Sequence, residues 1–146
     1  MPLDDDALAA WRAFLTAHAR ITRRISADLV AAGLPELTWY DLLWTLYRAP
    51  ARSLRVKDLA KEVALSPTGT SRFVDRVEAA GYVRRAPDAH DRRALQVVLT
   101  DAGVDLLRRM WPIYERGIEE HFAAHLGRST RTTRRLLEHM AAAAAR

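Results

Sequence analysis

Leu8, Trp11, Leu15, Ile21, Ile25 and Leu29 recur along the start of the chain at spacings of three, four and near-multiples of seven. Such spacing lays one apolar stripe along an amphipathic helix, predicted from Asp4 to about Ala32. Asp4, Asp5 and Asp6 suit the positive end of its dipole, and Gly33 with Pro35 stops it. A second helix is predicted from Thr38, where Thr38-Trp39-Tyr40-Asp41 approximates a capping box. It runs through Leu42, Leu43, Leu46 and Tyr47 and ends before Pro50. A short helix follows from Val56 to about Val63. Ser66 and Pro67 then supply a cap and a first-turn proline for a helix that reaches Ala80 and stops at Gly81. Tyr82 to Arg85 and Leu95 to Leu99 are predicted strands, since Leu95, Val97 and Leu99 alternate, and Pro87-Asp88-Ala89-His90-Asp91 is their turn. Thr100 caps a long helix from Asp101 to about Leu126, which Pro112 is expected to kink. Gly127 and Ser129 separate it from a last helix, Thr130 to about Ala145.

Three helices, a two-stranded hairpin and two more helices predict a mostly α fold with a small β-hairpin wing. The expected organisation is a single domain over residues 1–146: a winged helix-turn-helix lobe at about 36–100, flanked by helices at about 4–33 and 101–146. A first helix of this length spans about 43 Å, more than so small a lobe covers. Its stripe, with those of the last two helices, needs another surface. A second copy of the chain is the simplest source, and an antiparallel pair within the chain is the alternative.

The 146 residues suffice for one domain, and 49% apolar with 28% charged residues is ordinary for a globular chain. With no cysteine, disulfides, thiolate metal sites and thiol redox sensing are excluded. Asp4 to Asp6 stand where a signal peptide would carry bases, and no window approaches a membrane span, so a cytoplasmic location without a membrane partner is expected. The net charge of +5 changes the picture through its position. Residues 48–93 hold eleven bases against six acids, while the flanks balance at twelve of each. A basic middle between neutral arms suits a polyanionic partner, although solvated arginine-rich faces would give the same count.

Two helices joined by a tight turn can set the second in a major groove, with the side chains near its start against base edges. Here that start carries Ser66, Thr68, Thr70, Ser71 and Arg72, with Arg76 one turn on. Hydroxyls bond phosphate or base, and Arg72 suits a bidentate grip on guanine. The competing expectation is a surface helix whose arginines pair with Asp75 and Glu78. Phe73 or Val74 with Val77 should pack inward against Leu59 and Val63. In the hairpin turn, Arg92 and Arg93 suit a minor groove, and Asp91 is expected to orient Arg93 through a charge-assisted bond. No glycine-rich phosphate loop, nucleophile elbow or Ser/His/Asp cluster is present, so neither an enzyme nor a cofactor is expected. The remaining alternative is a helical protein-interaction module that uses its winged helix to bind a protein.

The run from Leu65 to Arg85 resembles the recognition helix and first wing strand of MarR-family regulators. Asp91-Arg92-Arg93, six residues before Leu99-Thr100, resembles that family's wing signature, and Val56-Lys57-Asp58-Leu59-Ala60 its preceding helix. One departure is Pro67-Thr68-Gly69, a glycine inside the recognition helix. The resemblance implies an obligate homodimer held by the first and last helices, triangular, on a palindromic operator in double-stranded DNA. It implies a repressor, often of adjacent transport or detoxification genes, released by a small aromatic or phenolic effector. Trp11, His18, Trp39, Tyr40, Trp44 and Trp111 are the candidates for the effector pocket, with His18 the best polar handle and Arg20 second. All of them also suit plain core positions. His121 and His125, four apart beside Glu120, lack a third ligand and are read as a solvated pair rather than a metal site.

Overall fold

A computed structural model describes residues 2–63 and 67–146. Ser66, the expected cap, lies outside the described residues. In chain order come α1 (Asp5–Ala31), α2 (Leu37–Arg48), a 3-10 turn (Pro50–Arg52), β1 (Ser53–Arg55), α3 (Val56–Glu62), α4 (Pro67–Ala79), β2 (Val83–Pro87), β3 (Leu95–Leu99) and α5 (Asp101–Ile118). A π-helical turn (Glu119–Ala123), a short helical segment (Ala124–Leu126) and a 3-10 turn (Gly127–Ser129) then lead to α6 (Thr130–Ala144). The chain divides into two compact units, Ser26–Pro112 and the residues up to Ile25 together with Ile113–Arg146. Among the described residues, no helix is long and apolar enough to cross a membrane.

In the Ser26–Pro112 unit, Leu42, Leu43, Leu46, Leu59, Val74, Val77, Val83, Val97, Leu106 and Met110 are sealed from solvent. Each such aliphatic side chain contributes roughly 1.5–3 kcal/mol relative to exposure. These residues come from four helices and the sheet, so one core fixes α4 against the strands. At the end of α1, Gly33 takes φ +78°, and Leu34 N–H reaches back to Leu29 O at 3.0 Å. That is the left-handed helix stop expected of a glycine there. The cap of α2 differs from the expectation. Leu37 N–H donates to Ser26 Oγ at 3.0 Å, so the end of α1 caps α2, and the Thr38 hydroxyl turns back to Glu36 Oε1.

The sheet has three strands where a two-stranded hairpin was expected. Its order is β1-β3-β2, all antiparallel, with Arg55 opposite Gln96 and Val83 opposite Leu99. Three residues of β1 are too few to show alternation, so the strand left no period to read. Val97 and Leu99 are buried, but Leu95 is exposed, because it sits where β3 leaves the wing turn. Thr100 caps α5 as expected, its Oγ1 accepting from Gly103 N–H at 3.1 Å.

In the second unit, Ile25 is buried against Gly117, where an added Cβ would lie 2.6 Å from Ile25 Cγ1. The helix expected to reach Leu126 gives way at Glu119 to π geometry, and Gly127 turns at φ +52°. Trp11, Phe14, Leu15, Phe122, Leu136 and Met140 are exposed.

Gly103 is required by close approach: a Cβ there would collide with the Tyr82 carbonyl oxygen and lie 2.6 Å from Leu99 Cδ1. Gly103→Ala is therefore expected to lower stability by about 1–3 kcal/mol despite the better helix propensity of alanine. Urea denaturation checks it, and an unchanged or raised midpoint would remove the packing constraint.

Candidate nucleic-acid interface

The inward face of α4 is set by the spacing of Thr70, Phe73, Val74 and Val77, all buried. Thr70 was expected at the groove. Its place three and seven positions before Phe73 and Val77 instead puts it on the core side, fully buried, its hydroxyl without a hydrogen-bond partner among the described residues. It cannot touch a base from there. The opposite face presents Thr68, Arg72 and Arg76, all exposed. Arg76 lies over the Phe73 ring at 5.1 Å, a contact worth about 0.5–1 kcal/mol at an exposed site. Ser71 is half-buried, and its carbonyl accepts from Arg85 Nη2 at 3.1 Å.

Arg85, on β2, decides the charge of this face. Its guanidinium meets Asp75 Oδ1 at 2.8 Å and Glu78 Oε1 at 2.9 Å, and its backbone N–H donates to Glu78 Oε2 at 2.7 Å. The two acids of α4 are thus paired from the sheet. Among the described residues, Arg72 and Arg76 form no ion pair, which removes the competing expectation that Asp75 and Glu78 would neutralise them.

At the wing, Arg92 and Arg93 are exposed. Asp91 does not grip the Arg93 guanidinium as expected. Its Oδ1 accepts the Arg93 backbone N–H at 3.0 Å, and its carbonyl accepts from Ala94 N–H, so it shapes the turn. A short aspartate bonds a backbone two residues on more readily than it reaches a long side chain. Beneath the turn lies Asp88, which the sequence marks only as part of the loop. The Asp88 side chain is 2% exposed and receives Arg55 Nε at 2.9 Å and Gln96 Nε2 at 2.8 Å on Oδ2. Its Oδ1 receives the amides of His90 at 2.8 Å and Asp91 at 3.1 Å. Pro87-Asp88 was a turn signal, but nothing local pointed to Arg55. The Arg55 hydrogen bond, then those of Gln96 and His90, hold this carboxyl well below the ordinary aspartate range.

The six aromatic and histidine candidates do not form one group. Tyr40 stacks with Trp44 and with Trp111, each at 6.3 Å, and Trp44 stacks on Tyr47 at 5.4 Å. Arg52 closes the row, 4.5 Å from the Tyr47 centroid. Burial, then the charge of Asp41, raises the Tyr40 phenol above its usual pKa. Trp39 points elsewhere and packs edge-on against Phe73 and Tyr82, fastening α2 to α4. Trp11 and His18 are exposed on α1, and Trp11 meets Phe14 at 6.0 Å. His121 lies in the π turn with Nε2 buried and, among the described residues, unpartnered, while His125 is exposed. Among the described residues, no three histidine or carboxylate side chains gather as a metal site would require.

A model of the MarR family matches residues 27–94. The chain is 30% identical over 96 residues to the HTH-type transcriptional regulator PrsX of Escherichia coli, covering 66% of this chain and 57% of that protein. It thus spans little more than half the length of that relative. Among solved structures it is similar to Sco3205, a MarR family transcriptional regulator from Streptomyces coelicolor in complex with DNA. There the TM-score is 0.83 at 29% identity, over 99% of this chain and 89% of that one. AbsC, a MarR family transcriptional regulator from the same organism, gives 0.77 at 28% identity over 97% and 99%.

Asp88 carries a pH prediction. An unfolded aspartate titrates near pH 4, and the folded wing holds this one lower. Its contribution to stability is therefore complete above about pH 5 and declines as the pH falls below about 4. The urea-stability difference between the wild type and Asp88→Asn is expected to stay level from about pH 8 to 5 and shrink below about 4. A difference that grows on acidification would reverse the sign and exclude the pairing.

Proposed function

We propose that the chain is a MarR-family transcriptional regulator binding duplex DNA through α4 and the wing, a reading supported by the family model over residues 27–94 and by the similarity to Sco3205. The observation that carries this proposal is the pairing of Asp75 and Glu78 with Arg85, which leaves Arg72 and Arg76 unneutralised on the outer face of α4. A helix that frees its own arginines by borrowing a base from the sheet is suited to phosphate and base edges. Thr68 and Ser71 add hydroxyl donors to that face, and Ser66 is a further proposed hydroxyl contact from the sequence alone. Arg92 and Arg93 are the minor-groove side chains, with Asp91 setting the turn.

The working form is a homodimer on a palindromic operator. Support comes from the exposed apolar side chains of α1, the π turn and α6, which a monomer would leave in water. Repression, and release by a small aromatic effector, complete the proposal. The half-exposed ends of the Tyr40, Trp44 and Trp111 row are its contacts in the Ser26–Pro112 unit. DNA as partner implies a cytoplasmic location, and turnover of a substrate forms no part of the proposal.

The test is selection of bound fragments from genomic DNA by the wild type and by Arg93→Ala in parallel. Enrichment of a palindrome, with affinity falling as a steep power of salt concentration, is the expected result. No enrichment at low salt, from a folded dimer, would point to a protein partner instead. Arg93→Ala is expected to weaken all sequences alike without unfolding the chain, and unchanged affinity would remove its groove role. Arg72→Ala is expected to lose about 1–3 kcal/mol of discrimination at one base pair per half-site. Uniform weakening across sequences would make Arg72 a phosphate contact.

A further inference from the structure

We propose that Asp88 is a positioning residue for DNA binding: its buried carboxylate fastens the wing turn to the sheet and so fixes the presentation of Arg92 and Arg93. The proposal rests on the function given above. It is unexpected on charge alone, because an acid within a DNA-binding lobe opposes phosphate.

The two carboxylate oxygens divide the work. Oδ2 faces the sheet, taking Arg55 from β1 and Gln96 from β3, while Oδ1 faces the turn, taking the amides of His90 and Asp91. Asp91, held through its amide, accepts in turn from the amide of Arg93. A continuous relay therefore runs from the sheet through Asp88 and Asp91 to the backbone of Arg93. Ser53 strengthens the sheet end, since its hydroxyl bonds Gln96 Oε1 and aims the amide group of Gln96 at Asp88. Arg55 has a structural task as well. Its Nε is engaged and its side chain is 30% exposed, so it serves the wing rather than a phosphate.

The decisive variant is Asp88→Asn, which deletes a negative charge without changing shape. Coulomb attraction to phosphate predicts tighter DNA binding for it. Positioning predicts the opposite, a roughly tenfold weakening toward every sequence. In an Arg92→Ala, Arg93→Ala background most of that penalty should vanish, because the residues being positioned are gone. Gln96→Leu, which removes one donor and no charge, should weaken binding in the same direction and by less. It carries the test if urea denaturation finds Asp88→Asn unfolded. Equal or tighter binding by Asp88→Asn, or a full penalty persisting without Arg92 and Arg93, would overturn the role. A wild type that binds no duplex at low salt would overturn the function itself and the role with it. That result is distinct from a wild type that binds and a variant that binds equally well.

Discussion

A carboxylate withdrawn from water must have its lone pairs satisfied, or its desolvation costs several kcal/mol. Asp88 meets that demand with donors from β1, from β3 and from its own turn, and the shape of the winged lobe follows from where those donors are. Arg55 and Gln96 are cross-strand partners in the β1–β3 register, so their side chains emerge beside each other and reach the same oxygen. A one-residue slip of β1 would send Arg55 to the other face and strand the charge. The register of a strand only three residues long is thus held as much by an ion pair as by its ladder. Arg55 also immediately precedes α3, so the same bond ties the start of that helix to the base of the wing.

The basic excess of residues 48–93 divides into two kinds of arginine. Arg55 and Arg85 are partly buried, each closing carboxylates from another element. Arg72, Arg76, Arg92 and Arg93 are exposed. The first kind makes the second available: without Arg85, Asp75 would be left to pair with Arg72, one turn before it on α4. Counting charge along the sequence could not separate the two kinds. The division depends on a contact between α4 and β2 that no helical spacing encodes.

Most of the architecture was legible because it rests on local chemistry. Gly33 and Gly81 mark helix stops at positive φ, Thr100 caps α5, and the alternation in Leu95–Leu99 gives the bounds of β3. What escaped was non-local or marginal in length. Three residues of β1 hold no period, and the partner of Asp88 lies 33 positions away. Thr70 was misplaced because a hydroxyl near a helix start suggests a groove contact, whereas its phase relative to Phe73 and Val77 puts it in the core. Helical phase outweighs residue type at this position. Asp91 and Arg93 were correctly linked, but through the wrong group, since spacing fixes proximity and not which donor is used.

The stripe on α1 changes character along its length, and that change bears on how DNA would be held. Ile25 and Leu29 are covered within the chain, whereas Trp11, Phe14 and Leu15 are open to solvent. One helix thus carries both a core half and an uncovered half, the second in the same compact unit as the exposed Phe122, Leu136 and Met140. If a second copy covers this set, dimerisation and DNA binding become one linked equilibrium. Joining two lobes makes engagement of the second half-site intramolecular, at an effective concentration far above that of free protein. Operator affinity then depends on protein concentration through the dimer, by mass action. Any molecule that altered the packing of the α1 helices would change DNA affinity without touching α4 or the wing.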